Sequence, residues 1–136
     1  MLPKLIEQTH NLFTAHPEMR QFDIIVPVPS STQREFSPVH EFCKALASAI
    51  NKPVQPCVFK TRPTKPQKEM QTLPQKRDNV AGAFALNNVI NGKSILLVDD
   101  LFDTGATLEE IAKVLLKSKA TRINVLTLTR TIHADA

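Results

Sequence analysis

The stretch ILLVDDLFDTGATL, residues 95–108, is the part of this chain that most strongly indicates its fold. Its four leading aliphatic residues predict a buried strand, and Asp99 and Asp100 follow where that strand is expected to end. A short turn containing Gly105 then leads into an amphipathic helix. The pattern therefore predicts two carboxylates at the carboxyl edge of a sheet, beside a helix N-terminus whose amides attract phosphate. Carboxylates that bind hydroxyls, next to amides that bind an anion, suit a sugar phosphate.

The composition is that of one globular domain over residues 1–136. Hydrophobic residues make up 42% and charged residues 22% of the chain, which are ordinary values for a folded domain. No apolar run approaches the roughly 20 residues of a membrane span, and the N-terminus lacks a signal-peptide pattern, so we expect a cytoplasmic protein. Cys43 and Cys57 show neither CxxC nor zinc-finger spacing, and we expect both to be reduced packing residues.

The positive charge of the chain is concentrated in one segment. The net charge is +4 overall, but residues 52–77 contain seven basic residues and a single acid, Glu69, for a local charge of +6. The rest of the chain carries −2. This segment therefore predicts a local anion-binding loop or a nucleic-acid patch, and not a generally basic protein.

Strand patterns alternate with helix patterns along the chain. Apolar spacing predicts helices over residues 3–15, 38–50 and 107–118, the second of them N-capped by Ser37 before Pro38. For the third we expect a Thr107–Glu110 capping box and a Glu109–Lys113 pair. Short apolar runs predict strands over residues 22–28, 54–59, 83–86, 94–98 and 123–128. This alternation predicts an α/β fold, a parallel sheet with helices on both faces that binds its ligand at the carboxyl ends of the strands.

Residues 60–79 break this alternation. The segment KTRPTKPQKEMQTLPQKRDN has three prolines, little periodicity and most of the basic charge. We expect a long flexible basic loop, because loops of this length in compact domains are usually functional lids or disordered.

The stretch VDDLFDTGAT, residues 98–107, resembles the phosphoribosyl pyrophosphate (PRPP) signature of type I phosphoribosyltransferases. PVPSS, residues 27–31, resembles the pyrophosphate loop of that family, and the basic segment stands where the family has its flexible catalytic loop. The likeness is closer to the competence protein ComF group and to amidophosphoribosyltransferase-like domains. Four stretches carry it: VPVP (26–29), TRPTKPQ (61–67), RDNVAGAF (77–84) and VLTLTRT (125–131). It covers about residues 22–131 and implies a three-layer fold.

The chain departs from the ComF group in two places. It has no cysteine zinc module, and REFSPVHEF, residues 34–42, stands in place of an Arg-Gly-Phe-Asn stretch after the first strand. Type I enzymes also select their nucleobase with a hood built from flanking segments. Here residues 1–21, a helical extension, and the last few residues are left for it, so the resemblance implies a reduced hood and leaves the acceptor open.

The resemblance assigns the ribose and phosphate contacts to the opening stretch. Asp99 and Asp100 would hold the ribose hydroxyls, helped by a Mg²⁺ ion that the substrate itself largely ligates, with no direct protein ligand. Asp103 stands where many purine-type enzymes have a general base, whereas many ComF relatives have Thr there, so its role stays open. Backbone amides and hydroxyls would bind the 5-phosphate at Thr104, Gly105, Ala106 and Thr107.

The resemblance assigns pyrophosphate to two other segments. Pro29, Ser30 and Ser31 would contact it through backbone amides, and a basic lid would close on it to exclude water. The lid candidates are Lys60, Arg62, Lys65, Gln67, Arg77 and Asn79. Each assignment has an ordinary structural alternative: a capped strand end, a plain helix cap, a connecting loop or a solvated basic loop.

Together these features predict a Mg²⁺-dependent, PRPP-binding phosphoribosyltransferase of ComF type that releases pyrophosphate, with a homodimer and a DNA-processing partner as further expectations. One alternative keeps the fold without catalysis, as a nucleic-acid-linked accessory domain that binds DNA phosphates through the basic loop. Its weakness is that Phe59 is the only aromatic residue near the loop, whereas single-strand binders usually stack bases on aromatics. KSILLVDD, residues 93–100, also resembles a response-regulator receiver. Only 36 residues follow Asp100, too few for the rest of a receiver.

Overall fold

The computed structural model describes residues 2–29, 38–102 and 105–130. Four helices and five strands alternate along them, with two short 3-10 turns at Pro17–Arg20 and Gln67–Glu69. In chain order the elements are α1 (Leu2–Ala15), β1 (Ile24–Pro27), α2 (Pro38–Ile50), β2 (Val58–Lys60), α3 (Leu73–Val80), β3 (Phe84–Leu86), β4 (Ser94–Phe102), α4 (Ala106–Lys117) and β5 (Arg122–Arg130).

Strands β1, β4 and β5 form a parallel sheet with β4 in the centre. Ile95 of β4 lies opposite Ile24 of β1 and Ile123 of β5. Val54 adds one isolated parallel bridge to Ile25 at the outer side of β1. Strands β2 and β3 form a separate antiparallel pair, which the sequence did not predict. The α/β class and the parallel sheet are confirmed.

Side chains of the central strands alternate between two buried clusters, one on each face of the sheet. Ile95 and Leu97 face α4, whereas Leu96 and Val98 face α1 and α2. All four are fully buried, and burying such a side chain contributes about 1.5 to 3 kcal/mol. The first cluster includes Leu108, Ile111 and Leu115 of α4, and the second includes Phe13 of α1 with Val39, Phe42, Cys43 and Leu46 of α2. The predicted helices on both faces are therefore confirmed.

The two cysteines belong to opposite clusters. Cys43 lies in the cluster with α1 and α2, and Cys57 lies in the cluster with α4. Both are buried and free, as predicted. Burial raises the pKa of the Cys43 thiol to about 12. It also raises the pKa of Cys57, against the smaller opposing effect of a backbone hydrogen bond.

Several predicted boundaries are wrong. The strand expected over residues 54–59 is divided, because the chain leaves the bridge at Val54 and begins β2 only at Val58; Pro56, which has no N–H to donate, stands between them. The central strand does not end before the acids but continues to Phe102. Helix α4 is capped by Gly105 and not by a Thr107–Glu110 box, and Lys113 pairs with Glu110 and not with Glu109.

The prediction of one irregular loop over residues 60–79 is also wrong in part. Leu73–Val80 forms helix α3, which opens with a reciprocal capping box. The Thr72 hydroxyl accepts from the Gln75 N–H at 3.2 Å, and the Gln75 side chain accepts from the Thr72 N–H at 3.2 Å. Pro74 lies in the first turn, where helices tolerate proline. A nucleobase hood over residues 1–21 stays a prediction; Phe13 of this segment packs beside α2.

Candidate functional site

The carboxyl edge of the sheet places three chain segments side by side. Strand β1 ends at Pro27, and the Val28 N–H donates to the Val98 carbonyl at 2.8 Å, so the chain that follows β1 continues beside β4 at Asp99. On its other side Asp99 lies in register with Thr127 of β5. Asp99 is half-buried, and Asp100 follows it along β4. The predicted acids therefore lie on the central strand, between the chain that follows β1 and strand β5, which continues beside β4 to Arg130.

The N-terminus of α4 follows this strand closely. Gly105 caps the helix with a left-handed backbone, at φ 84° and ψ 2°, a conformation that costs glycine little. Ala106 is buried at the start of the helix and Thr107 is half-buried. The first turn of a helix is a place at which proteins often bind anions, so the predicted 5-phosphate site falls at this turn. Asp103, Thr104, Ser30 and Ser31 lie outside the described residues.

Residues 61–82, which we call the basic lobe, are joined at their base. The Thr61 N–H donates to the Ala83 carbonyl at 2.7 Å, and the Thr61 hydroxyl donates to the Gly82 carbonyl at 2.9 Å. In the adjoining strand pair, Lys60 of β2 lies opposite Phe84 of β3. The lobe therefore begins and ends at the same end of the β2–β3 pair.

Arg62 joins the beginning of the lobe to the C-terminal end of α3. Its guanidinium donates to the Ala81 carbonyl at 2.6 Å and to the Asn79 carbonyl at 3.0 Å. Longer contacts of 3.4 Å reach the carbonyls of Pro63 and Asp78. A cation at this position satisfies carbonyls that the helix end leaves without partners and complements its dipole.

The side chain of Asn79 makes a second set of hydrogen bonds between the two ends of the lobe. Its side-chain oxygen accepts from the Lys65 N–H at 2.9 Å, and its amide nitrogen donates to the Lys65 carbonyl at 2.7 Å. The same nitrogen donates to the Gln67 side-chain oxygen at 2.6 Å, and the Gln67 amide nitrogen donates to the Lys76 carbonyl at 3.3 Å. Three of the six predicted lid residues, Arg62, Gln67 and Asn79, therefore hold the lobe itself.

The lobe contacts the first half of α4. Arg77 lies 3.8 Å from the Glu109 carboxylate, and the Gly82 N–H donates to the Glu110 carboxylate at 3.1 Å. Between them is a cleft of about 130 Å³ whose walls come from both helices. Its lining includes Ala106, the first residue of α4. The lobe is thus positioned beside the predicted phosphate site.

The sequence did not identify Glu109 and Glu110 as partners of the lobe. Both stand in a helix where acids near the N-terminus are ordinary, and Gly82 is 28 positions away from Glu110. No local spacing could have linked them. Of the two remaining lid candidates, Lys60 donates to the Thr64 hydroxyl at 2.7 Å, and burial lowers the pKa of its ammonium. Lys65 is exposed.

Two kinds of feature are absent from the described residues. Within those ranges no three His, Cys, Asp or Glu side chains converge on a common point as metal ligands would. No helix in the same ranges has the length and apolar character that a membrane crossing requires.

The comparisons with known proteins agree on one family. The family model described as phosphoribosyl transferase domain matches residues 41–134. The competence protein ComFC of Bacillus subtilis is 32% identical over 108 residues, 79% of this chain and 44% of that protein. The DNA utilization protein YhgH of Escherichia coli K12 is 37% identical over 75 residues, 55% of this chain and 33% of that protein. The chain thus spans less than half the length of these relatives.

Solved structures show the same fold at low identity. A hypoxanthine-guanine phosphoribosyltransferase from Bacillus anthracis superposes with a TM-score of 0.61 at 16% identity, over 98% of this chain and 72% of that chain. A purine phosphoribosyltransferase from Pyrococcus horikoshii gives a TM-score of 0.60 at 16% identity, over 95% of this chain and 73% of that chain. Since the family model matches well over half of the residues, the chain belongs to the phosphoribosyltransferase domain family.

Proposed function

We propose that this chain binds PRPP and, with Mg²⁺, transfers its ribose 5-phosphate to an acceptor, releasing pyrophosphate. One observation carries the proposal: Asp99 lies on the central strand beside the chain that follows β1, and the Gly105-capped helix follows the same strand. A sugar that carries both a phosphate and a pyrophosphate needs three kinds of contact close together. It needs acids for its hydroxyls and a separate binding site for each of the two anions.

The roles follow from the charges that change during the reaction. The bond from ribose C1 to the pyrophosphate oxygen breaks, the acceptor bonds to C1, and the acceptor proton passes to a base. The sugar is oxocarbenium-like in between, so Asp99 and Asp100 stabilise its positive charge while they hold the ribose hydroxyls. Residues 104–107 hold the 5-phosphate and residues 29–31 hold the pyrophosphate. Asp103 is the proposed base.

The donor set at this edge fits a magnesium ion held mainly by the substrate. Mg²⁺ prefers oxygen ligands and is usually bound through one or two carboxylates, waters and substrate phosphates. Asp99, a half-buried carboxylate on the central strand, suits that arrangement through a water or a ribose hydroxyl. When bound, the ion stabilises the charge that develops on the leaving pyrophosphate.

Calorimetric titration with PRPP and Mg²⁺ tests the proposal. We expect saturable binding that Asp99→Asn weakens at least about tenfold, because a hydrogen bond to a charged group contributes about 1.5 to 3 kcal/mol. Asp23→Asn is the matched control: the Asp23 carboxylate accepts from the Ser94 N–H at 2.9 Å, at the amino edge of the same sheet. An absence of binding heat with both PRPP and ribose 5-phosphate would refute the proposal, as would an equal loss in the control.

The acceptor is tested separately. Pyrophosphate release from PRPP is measured across a panel of nucleobases, amines and nucleotides, with Asp99→Ala and Asp100→Ala as inactive references. We expect release that depends on one class of acceptor. PRPP binding with no release for any member of the panel would favour a protein that only senses PRPP.

A DNA-linked role is the second candidate. It is supported by the names of two relatives, a DNA utilization protein and a competence protein, and by the charge of residues 52–77. We expect any DNA binding to weaken steeply with salt and to be lost on neutralising Lys65, Lys68 and Lys76. Such binding, unaffected by PRPP, would favour this role. A homodimer and a cytoplasmic location stay predictions.

A further inference from the structure

The backbone of Gly82 joins both ends of the basic lobe to helix α4. The Gly82 N–H donates to the Glu110 carboxylate of α4 at 3.1 Å, and the Gly82 carbonyl accepts from the Thr61 hydroxyl at 2.9 Å. The Thr61 N–H in turn donates to the Ala83 carbonyl at 2.7 Å. Gly82 has a positive φ of 64°, which glycine adopts at little cost. The two ends of the lobe and α4 therefore meet at one residue.

We propose that Glu110 is a positioning residue, whose carboxylate holds the base of the basic lobe at Gly82 and so fixes where the lobe lies relative to the N-terminus of α4. The proposal rests on the proposed function for its ligand, PRPP. Its structural part, the attachment of the lobe to α4, needs no ligand.

The lobe depends on such a contact because its flanking strands are not part of the parallel sheet. Strands β2 and β3 pair with each other, whereas β1, β4 and β5 form the other described sheet. Val80, Ala83 and Phe84 pack in the same buried cluster as residues of α4, but apolar contact is not directional. A hydrogen bond requires a particular distance and angle. The Glu110 contact can therefore define the position that apolar packing leaves open.

Glu110 suits this role better than Glu109, the neighbouring acid that also faces the lobe. The Glu110 side chain is only 18% exposed. Glu109 and Arg77 lie 3.8 Å apart and are each 59% exposed, so water and salt weaken their attraction. Lys113 lies 3.4 Å from the Glu110 carboxylate but is 70% exposed. The hydrogen-bond acceptor of Glu110, rather than its charge, therefore holds the lobe.

Glu110 connects the lobe to the candidate site through α4 itself. It stands about one helical turn after Ala106, the first residue of the helix, and both residues line the cleft between α3 and α4. The predicted 5-phosphate site falls at the turn where this helix begins. A lobe fixed at Glu110 therefore keeps a constant position relative to that turn. A lobe that had to be ordered during binding would cost the ligand part of its affinity.

The test compares three substitutions of Glu110 by amide hydrogen exchange without ligand and by calorimetric titration with PRPP and Mg²⁺. Glu110→Gln keeps the side-chain length and an oxygen that accepts from the Gly82 N–H, so we expect exchange and affinity within about twofold of wild type.

Glu110→Ala removes the acceptor, and Glu110→Asp keeps the charge on a side chain one methylene shorter. We expect both to raise the exchange rates of residues 73–82 about fivefold, the equivalent of one hydrogen bond. Both should also weaken PRPP binding at least about threefold, because the lobe must then be ordered on binding.

Glu109→Ala is the matched control, because Glu109 is the preceding acid of the same helix and its contact with the lobe is exposed. It should stay within about twofold of wild type in both measurements. Exchange in β4 should be unchanged in every variant, which separates the position of the lobe from the stability of the fold.

Two results would overturn the inference. One is a loss in Glu110→Gln with wild-type behaviour in Glu110→Asp, because the charge would then be responsible. The other is faster lobe exchange in Glu110→Ala with unchanged PRPP affinity, because the contact would then be structural only. If the wild-type protein binds no PRPP, the expected order of lobe exchange would support the attachment through Glu110 and overturn the proposed function alone.

Discussion

Replacing Gly105 by alanine separates the backbone cost of the helix cap from its role in ligand binding. Gly105 has φ 84° and ψ 2°, and an L-residue with a Cβ in that conformation costs about 1 to 2 kcal/mol. For a domain of this size we expect the thermal midpoint to fall by about 3 to 6 °C. On the proposed function a methyl group would also stand where the backbone approaches the 5-phosphate, so we expect PRPP binding to fall by far more than stability.

Gly92→Ala is the matched control for this experiment. Gly92 has φ +78°, and a Cβ added there meets no described atom within 4 Å, so alanine at this position costs backbone strain alone. It lies in the turn before β4, away from the carboxyl edge of the sheet. We expect both variants to lower the thermal midpoint similarly, while only Gly105→Ala weakens PRPP binding, by at least about tenfold, in a calorimetric titration at a temperature where both variants are folded.

Two results would refute this reasoning. If Gly105→Ala bound PRPP as tightly as wild type, the turn before α4 would not be a close phosphate cradle. If Gly92→Ala lost binding to the same degree, the loss would reflect stability and not the site. A loss in Gly105→Ala with inorganic phosphate as well as PRPP would show further that the cradle recognises the anion itself.

Two more predictions concern the lobe and the core. Thr72→Ala removes the capping box of α3, so about 1 kcal/mol of local stability should be lost and residues 73–80 should exchange their amides faster; equal exchange in both proteins would contradict this. Burial raises the pKa of Cys43 from the ordinary thiol value of 9.0 to about 12, so between these pH values the unfolded thiol ionises and the folded one does not. Stability to urea should therefore fall as pH rises above 9, by up to about 1.4 kcal/mol per pH unit for this thiol. Cys43→Ala should lack that part of the fall.

The parallel sheet could be predicted because each of its strands is encoded locally. The strands Ile24–Pro27, Ser94–Phe102 and Arg122–Arg130 each contain a run rich in aliphatic residues, and the helices between them have clear apolar faces. The β2–β3 pair could not be predicted in the same way. Its strands are three residues each and lie on either side of the basic lobe, so the pairing depends on how the lobe folds.

Helix α3 was missed for a related reason. Its sequence, LPQKRDNV, contains a proline and no apolar stripe, and only Val80 is buried. The helix is stabilised by the capping box at Thr72 and by two contacts with residues distant in sequence. Arg62 donates to carbonyls at its C-terminal end, and Glu109 lies beside Arg77. A helix stabilised mainly by long-range contacts leaves little periodic signal.

The candidate site, too, could be predicted only in part from the sequence. The order of apolar runs and turns predicts Asp99 and Gly105 at the carboxyl edge of the sheet. In the structure Asp99 lies within β4 beside the chain that follows β1, and Gly105 caps α4. The roles of the individual lid residues could not be predicted from residue type. Arg62 and Lys65 are both exposed cations three positions apart. The Arg62 guanidinium has four carbonyl partners, whereas the Lys65 ammonium has no partner among the described residues.

This difference helps to decide whether the basic lobe binds a nucleic-acid backbone or a small phosphate compound. A patch that binds DNA gains affinity by releasing counterions at many phosphates, and so needs many cations free to pair with them. Arg62 bonds to carbonyls, Lys60 to a hydroxyl and Arg77 faces Glu109, so these three would first have to leave protein partners. A compact anion needs only one or two free donors inside a favourable field. The partners of these cations therefore favour phosphate or pyrophosphate over a nucleic-acid backbone as the ligand of the lobe.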